Sequence, residues 1–280
     1  MNRSQECHFL PRLVQPEQLR SVLSAPEIIL VDLSRPHVYE EVHLPQARHL
    51  APESLMLGRR PFPGMLPPVK QLTEAIASVG INPESHVVAY DDEGGGWAAR
   101  FLWTLELLGM TSYSYLNGGL ITWLAEGFPV ACEQPVVQPA PVLTPEPVLN
   151  PDFLADAASI LAELGSTDLV LLDARSPEEY YGHQQYAQRA GHIPGAVNFE
   201  WTRALDEERH LRLRPLAQLR QELAQLGVTP DKNVVTYCQA HHRSALSWLL
   251  GRLLDFPRIR AYPGSWAEWA TLSHAPVATE

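Results

Sequence analysis

The sequence predicts an α/β chain made of two similar domains, each a mainly parallel sheet flanked by helices, and three observations lead there. First, the chain repeats itself. VVAYD, ending at Asp91, matches VVTYC, ending at Cys238, and GINP (Gly80–Pro83) matches GVTP (Gly227–Pro230), both at a spacing of 147 residues. Pro129-Val130 and Pro276-Val277 keep that spacing, whereas Trp123 and Trp269 lie 146 apart and Asp32 and Asp173 only 141 apart. The shorter offset places an insertion in the first copy, around the Pro-rich GRRPFPGMLPP (Gly58–Pro68). Second, the period is domain-sized and occurs twice, which excludes a solenoid of short units. Third, each copy alternates strand-length apolar runs with helices of about ten residues, the pattern of a parallel sheet covered on both faces.

The second copy shows the elements most clearly. DLVLLD (Asp168–Asp173) is a short apolar run of strand length. Ser176-Pro177 starts a short helix, with proline suited to its first turn. Pro215–Leu226 carries Leu216, Leu219, Leu223 and Leu226 at the spacing of an amphipathic helix, and Gly227 is its C-cap. Asn233–Tyr237 is a strand and Ser244–Leu254 a mostly apolar helix. Arg258–Tyr262 is another short strand, and Pro263-Gly264 opens the last helix. Between the copies, Pro135, Pro139, Pro141, Pro145 and Pro147 favour extended, polyproline-like geometry. The expected layout is therefore a first domain over 1–131, a semi-rigid linker over 132–148 and a second domain over 149–280.

Composition narrows the function. Of 280 residues, 45% are hydrophobic and 19% charged, ordinary for a folded globular chain. The formal net charge of -11 argues against nucleic acid or an anionic membrane as partner. A small anionic substrate would need a local basic pocket. No apolar run reaches the roughly 18 residues of a membrane span, and the N-terminus has no signal-peptide stretch. The three cysteines, Cys7, Cys132 and Cys238, do not resemble a disulfide framework. A cytoplasmic protein with reduced thiols is expected.

The chemistry is expected at Cys238. Ligands of open parallel sheets bind beyond the carboxyl ends of the strands, and the strand VVTY ends at this cysteine. The segment Gln239, Ala240, His241, His242, Arg243 and Ser244 is short, so it must curl with its amides and the following helix N-terminus facing one small volume. Such a cradle stabilises an anion and lowers the pKa of a thiol. A cysteine with no such context reads as a buried structural thiol; Cys7, in a terminal arm, and Cys132, at the linker, lack that context and read as incidental. Zinc at Cys238, His241 and His242 is disfavoured because no second ligand pair with zinc spacing lies near. His192 reads as a structural hydrogen-bonding residue. Arg175 is close enough in sequence to pair with Glu178 or Glu179. Asp32 and Asp173 end equivalent strands in both copies, which marks them as structural.

These residues resemble the tandem rhodanese family of thiosulfate and mercaptopyruvate sulfurtransferases over nearly the whole chain. The matching motifs are Asn117–Gly119 (NGG) with Trp123, Asp173–Tyr180 (DARSPEEY), Gly191–Asn198 (GHIPGAVN) and the strand-Cys-loop-helix unit. CQAHHRS resembles the active loop of a bacterial thiosulfate sulfurtransferase subgroup. It is unlike the glycine- and lysine-containing loop of vertebrate rhodanese and unlike the mercaptopyruvate loop C-G-x-G-V-T. The resemblance implies a catalytically silent first domain, and Asp91, which cannot form a persulfide, stands where its cysteine would be. It also implies that Arg175 lies near the sulfur-donor site and that Trp97 faces the active site from the first domain. The family's neighbouring aromatic is replaced by Gly96.

The reaction these features imply is transfer of sulfane sulfur from thiosulfate to a thiophilic acceptor, cyanide or a thiol, through a Cys238 persulfide. Neither metal nor organic cofactor is required. Arg243 has two readings of equal weight, holding the loop by bonding to carbonyls or carboxylates, or attracting the dianion together with Arg175, with two rechargeable imidazoles assisting. Arg243→Ala would then harm thiosulfate turnover more than mercaptopyruvate turnover. Mercaptopyruvate as donor is the main alternative. A phosphatase of the same fold is disfavoured, because Arg243 follows Cys238 by five positions (Cys-x4-Arg) and the phosphatase loop is one residue longer. A non-catalytic binding module is disfavoured because the second copy keeps its cysteine loop.

Overall fold

The computed structural model describes residues 10–59 and 62–280. Cys7 therefore lies outside the described residues. The first half forms a five-stranded sheet of β1 (Leu13–Val14), β2 (Ile28–Asp32), β3 (Arg48–His49), β4 (His86–Tyr90) and β5 (Tyr113–Leu116), in the order β1-β5-β4-β2-β3. In the second half, β6 (Leu169–Asp173) and β7 (Val197–Asn198) are followed by a small antiparallel pair, β8 (Leu205–Asp206) and β9 (Arg212–Leu213). Then come β10 (Asn233–Tyr237) and β11 (Ile259–Ala261), and the sheet order is β11-β10-β6-β7. Every pairing within the two main sheets is parallel.

The local signals read in the sequence act as expected. Ser176 caps the helix Pro177–Tyr180 through a reciprocal capping box with Glu179, and Pro177 occupies its first position. Gly227 takes the left-handed conformation (φ 77°) after the helix Leu216–Gln225. The linker is extended, with Val136 97% and Val148 90% exposed. It is tethered to the first half where Ala140 N–H donates to the Ala77 carbonyl and Asn150 N–H to that of Leu107.

The repeat is visible in hydrogen bonds as well as in topology. Tyr90 and Tyr237 end β4 and β10, and their hydroxyls accept from Leu44 N–H and Ile193 N–H. The Trp123 and Trp269 indoles donate to the carbonyls of Pro129 and Pro276, both at 2.8 Å. Asp32 and Asp173 accept from the backbone N–H two residues on, at 2.7 and 3.0 Å. His192 donates through Nδ1 to the Tyr180 carbonyl at 2.8 Å and stacks on the Tyr180 ring, a structural placement.

The halves meet through the helices Gly96–Leu107 and Arg243–Leu253, which follow β4 and β10. Phe101, Leu102, Leu105, Leu246, Leu249 and Leu250 are buried in one core that runs through both halves. A helix apolar on all sides suits that position, because each packs on its own sheet and on the other domain. Polar contacts fix the register: Arg252 lies 3.0 Å from Glu106, and Leu213 N–H donates to Asn117 Oδ1 at 2.7 Å.

Candidate active site

Cys238 is the first residue beyond β10, and it is 1% exposed. The loop after it is held from outside by its carbonyls. Trp266 N–H donates to the Cys238 carbonyl at 2.9 Å and Ala267 N–H to that of Gln239 at 3.1 Å. Arg100, from the other domain, donates to the His241 carbonyl at 3.2 Å. With these carbonyls drawn outward, loop amides are free to turn inward. Ser265 completes the curl: its Oγ accepts from His241 N–H at 3.1 Å and donates to the Tyr262 carbonyl. His241 pays for the tight turn with a left-handed backbone (φ 50°), where the silent copy has Gly94.

Burial pushes the Cys238 thiol up, but the Arg243 charge, the Ser244 hydroxyl and the Ser244 and Ala240 amides outweigh it and leave the pKa lowered. Asp91 shows what this cradle binds. Its Oδ1 accepts from Glu93 N–H (3.1 Å) and Gly95 N–H (2.8 Å), and its Oδ2 from Trp97 N–H and Ala98 N–H (both 3.0 Å). Glu93 and Trp97 are the repeat counterparts of Ala240 and Ser244, 147 residues on. The first domain thus fills its own anion cradle with a carboxylate.

Several expected residues are brought to this loop. Arg243 makes a two-pronged pair with Glu179, at 2.5 and 2.9 Å, the carboxylate bonding that was one of its two expected roles. Its positive charge is shared between that carboxylate and the Cys238 sulfur. Burial would lower its pKa, yet the Glu179 bonds and the Cys238 charge raise it. His241 is fully buried, with Nδ1 2.8 Å from Ser244 Oγ and its ring edge-on to Trp103. Burial, with the charge of Arg100 next, pushes its pKa well down, so this imidazole is neutral near pH 7 and adds no cation. His242 stacks on Trp97 with ring centroids 4.2 Å apart, and its Nε2 lies 2.8 Å from Glu93 Oε1. Gly96 is explained by the same contact, since a Cβ there would come within 2.4 Å of His242 Nε2. The wall that lacks the family's aromatic is filled from the opposite domain by an imidazole. Gln239 carries a buried Oε1 without a hydrogen-bond partner.

Arg175, expected near the sulfur-donor site, is placed against Asp173. It is 2% exposed, and its Nε and Nη2 grip both oxygens of Asp173 at 2.6–3.1 Å while Nη2 also donates to the Gly191 carbonyl. The guanidinium also lies over the Trp266 ring. A buried arginine so committed cannot be presented to a donor without stranding Asp173. Its expected partner, Glu179, is taken by Arg243.

Three contributors were not singled out in the sequence, Ser265, Arg100 and Gly64, and a fourth, Glu179, was read only as a possible partner of Arg175. A Cβ on Gly64 would sit 2.3 Å from the Ala240 carbonyl oxygen, so the Pro-rich insertion lies directly on the loop. Arg100 had one readable signal, a charge inside the apolar run GWAARFLWTLEL three residues after Trp97. A cleft of about 490 Å³ lies at the opposite ends of the strands beside Arg252, Arg258 and Arg260. Those arginines are paired with Glu106, Asp168 and Glu163, and the cleft has no part in the chemistry at Cys238. Among the described residues no group of three His, Cys, Asp or Glu side chains is placed to hold a metal, and no helix is long and apolar enough to cross a membrane.

A buried thiol in an amide cradle, on one of two copies of a parallel α/β unit, defines a cysteine-dependent group-transfer protein. The sequence model of the Rhodanese-like domain matches residues 15–126 and again 156–272, and the chain belongs to the rhodanese family. It is 48% identical to the thiosulfate sulfurtransferase of Azotobacter vinelandii over 268 residues, covering 96% of this chain and 97% of that protein. It is 45% identical to the thiosulfate sulfurtransferase of Pseudomonas aeruginosa, with the same coverage. A probable 3-mercaptopyruvate sulfurtransferase from that organism is 35% identical over 293 residues, covering 96% of this chain and 98% of the relative. In fold, the chain resembles the anaerobic ergothioneine biosynthesis enzyme of Chlorobium limicola (TM-score 0.85, 25% identity), matching 96% of this chain and 70% of that one.

Proposed function

We propose that this protein is a thiosulfate sulfurtransferase working by double displacement through Cys238. The observation that carries the reading is the cradle itself: the same loop amides that bind the Asp91 carboxylate in one domain surround a sulfur in the other. The two relatives above 40% identity, both named thiosulfate sulfurtransferase, support thiosulfate over mercaptopyruvate as donor.

In the first half-reaction the Cys238 thiolate attacks the outer sulfur of thiosulfate. A Cys238–sulfur bond forms, the bond to the sulfonate sulfur breaks, and sulfite leaves with the electron pair. The persulfide anion that remains is stabilised by the cradle amides and the nearby arginine charge. In the second half-reaction a thiophile, cyanide or a thiolate, attacks the outer sulfur and releases the Cys238 thiolate. No metal or organic cofactor enters either step. The Cys-x4-Arg loop, pressed by Gly64 on Ala240, suits one sulfur atom and not a tetrahedral phosphate. Cys132 and Cys238 are unpaired, which supports action in a reducing, cytoplasmic setting.

Intact-mass measurement after separate incubation with thiosulfate and mercaptopyruvate tests this reading. Thiosulfate should add the mass of one sulfur atom, removed again by cyanide and located on the Cys238 peptide. Loading by mercaptopyruvate alone would overturn the donor assignment, and no loading by either would overturn the mechanism.

A further inference from the structure

Two arginines bear on the Cys238 loop, and only one of them pairs with a carboxylate. Arg243 comes from the helix that follows the loop and is neutralised by Glu179. Arg100 comes from the first domain and meets the loop at the His241 carbonyl. It is 0% exposed, and its hydrogen bonds go to three main-chain carbonyls: His241 at 3.2 Å, Leu55 at 3.0 Å and Gly64 at 2.9 Å. Its Nε is buried without a partner. Among the described residues no carboxylate forms an ion pair with it. A buried cation without a counterion is strongly disfavoured, so a countercharge is expected nearby, and the anion felt by Arg100 is Cys238.

The placement of Arg100 is specific. Trp97, Arg100 and Trp103 follow at intervals of three on one helix and meet the loop together. Trp97 stacks on His242, Trp103 meets His241 edge-on, and Arg100 holds the carbonyl of the left-handed His241. The other two Arg100 carbonyls belong to the segment whose Gly64 touches Ala240. One guanidinium therefore ties together the active loop, the insertion covering it and the silent domain.

We propose that Arg100 is a positioning residue for sulfur transfer, contributed by the silent domain, whose uncompensated buried charge stabilises the Cys238 thiolate and persulfide while its hydrogen bond holds His241 in place. This rests on Cys238 being the sulfur carrier. It gives the silent domain a task in the reaction that requires no nucleophile of its own. Burial pushes the guanidinium down to about 9, which leaves it charged at neutral pH, and the Cys238 charge opposes that fall. The other charged and titratable groups around the sulfur are Arg243 and His241 with His242 on the loop and its helix, Glu179 on the helix Pro177–Tyr180, the Asp173–Arg175 pair after β6, and Glu93 beyond His242. None of these supplies a second uncompensated, fully buried cation.

The test is the pH dependence of iodoacetamide alkylation at the Cys238 peptide in Arg100→Met and Arg100→Lys, read beside kcat/KM for thiosulfate. In Arg100→Met the alkylation midpoint should rise by about one pH unit, so that alkylation at a pH below both midpoints slows about tenfold, and kcat/KM at that pH should fall with it. Arg100→Lys loses part of the carbonyl clamp, and because a buried ammonium is neutralised more easily than a guanidinium its midpoint should lie between those of wild type and Arg100→Met. If Arg100→Met does not fold, Arg100→Gln, which retains donors for the carbonyls, carries the same measurement. An unchanged midpoint in a folded neutral variant, whatever its melting temperature, would overturn the proposal. Because alkylation needs no sulfur donor, this outcome is distinct from failure of the wild-type protein to load sulfur from thiosulfate.

Discussion

Asp91 and Cys238 occupy the same place in the two halves of the chain, and the carboxylate of Asp91 accepts four backbone N–H groups from the loop equivalent to the one that encircles the Cys238 sulfur. The first domain therefore fills its cradle with a carboxyl group of its own where the second carries a thiol. Burial pushes the Asp91 pKa up, and the amides of Ala98, Glu93 and Gly95 oppose that rise.

Removal of that carboxyl group is expected to cost stability. Asp91→Ala leaves four amides in a buried cradle without their acceptor, and an unsatisfied buried group costs about 1–3 kcal/mol. Partial rehydration will reduce the sum, so a loss of about 2–4 kcal/mol in urea unfolding is expected. A loss below about 0.5 kcal/mol, the size of an ordinary surface substitution, would mean that the cradle does not need its anion.

The nucleophile assignment predicts that Cys238→Ser has no measurable sulfur transfer, whereas Cys132→Ser and Cys7→Ser retain near-wild-type turnover. Cyanide-dependent thiocyanate formation reads this directly. Turnover surviving in the Cys238 variant would exclude the persulfide route.

The Cys238 thiol is lowered from its ordinary value, and the sign of the resulting pH dependence is fixed. Thiolate is present above the lowered pKa and lost as pH falls through it. The acid limb of kcat/KM for thiosulfate should thus lie below the range of a free cysteine, about 8.5. Arg243→Ala should move that limb upward, because burial then acts with less opposition. A limb at or above the free-cysteine value in the wild type would show that the cradle does not activate the thiol.

Since Arg243 serves the sulfur and Glu179, its loss should penalise thiosulfate and mercaptopyruvate by similar factors. This reverses the expectation from charge counting along the loop. Parallel steady-state assays decide it, and a selective loss with thiosulfate would restore a direct donor-binding role. Glu179→Ala strands Arg243 from its carboxylate in a largely buried pair and should lower stability by about 3 kcal/mol.

Arg175→Ala is expected to behave as a fold mutation. It leaves Asp173 buried and unpaired, at a cost of about 3–5 kcal/mol, while kcat/KM per folded molecule stays within about threefold of wild type at a temperature where the variant is native. A variant of normal stability with collapsed thiosulfate turnover would return Arg175 to the donor site.

The sequence by itself determined the repeat, the parallel α/β units, the position of the candidate nucleophile and the aspartate that stands in its place in the first copy. Each follows from near neighbours: an apolar run and the turn residues that bound it, Ser176-Pro177 before a short helix, a cysteine where a strand gives way to a polar loop. Only the tertiary structure decided what the arginines do. Arg175 is one residue from Ser176 and close in sequence to Glu179, yet it turns back to Asp173, while Glu179 reaches Arg243, 64 positions away. Arg100 meets His241 across 141 positions. Charge pairing depends on which elements the core brings together and which carboxylates are buried with which cations. Those are properties of two packed domains, and spacing along the chain does not encode them.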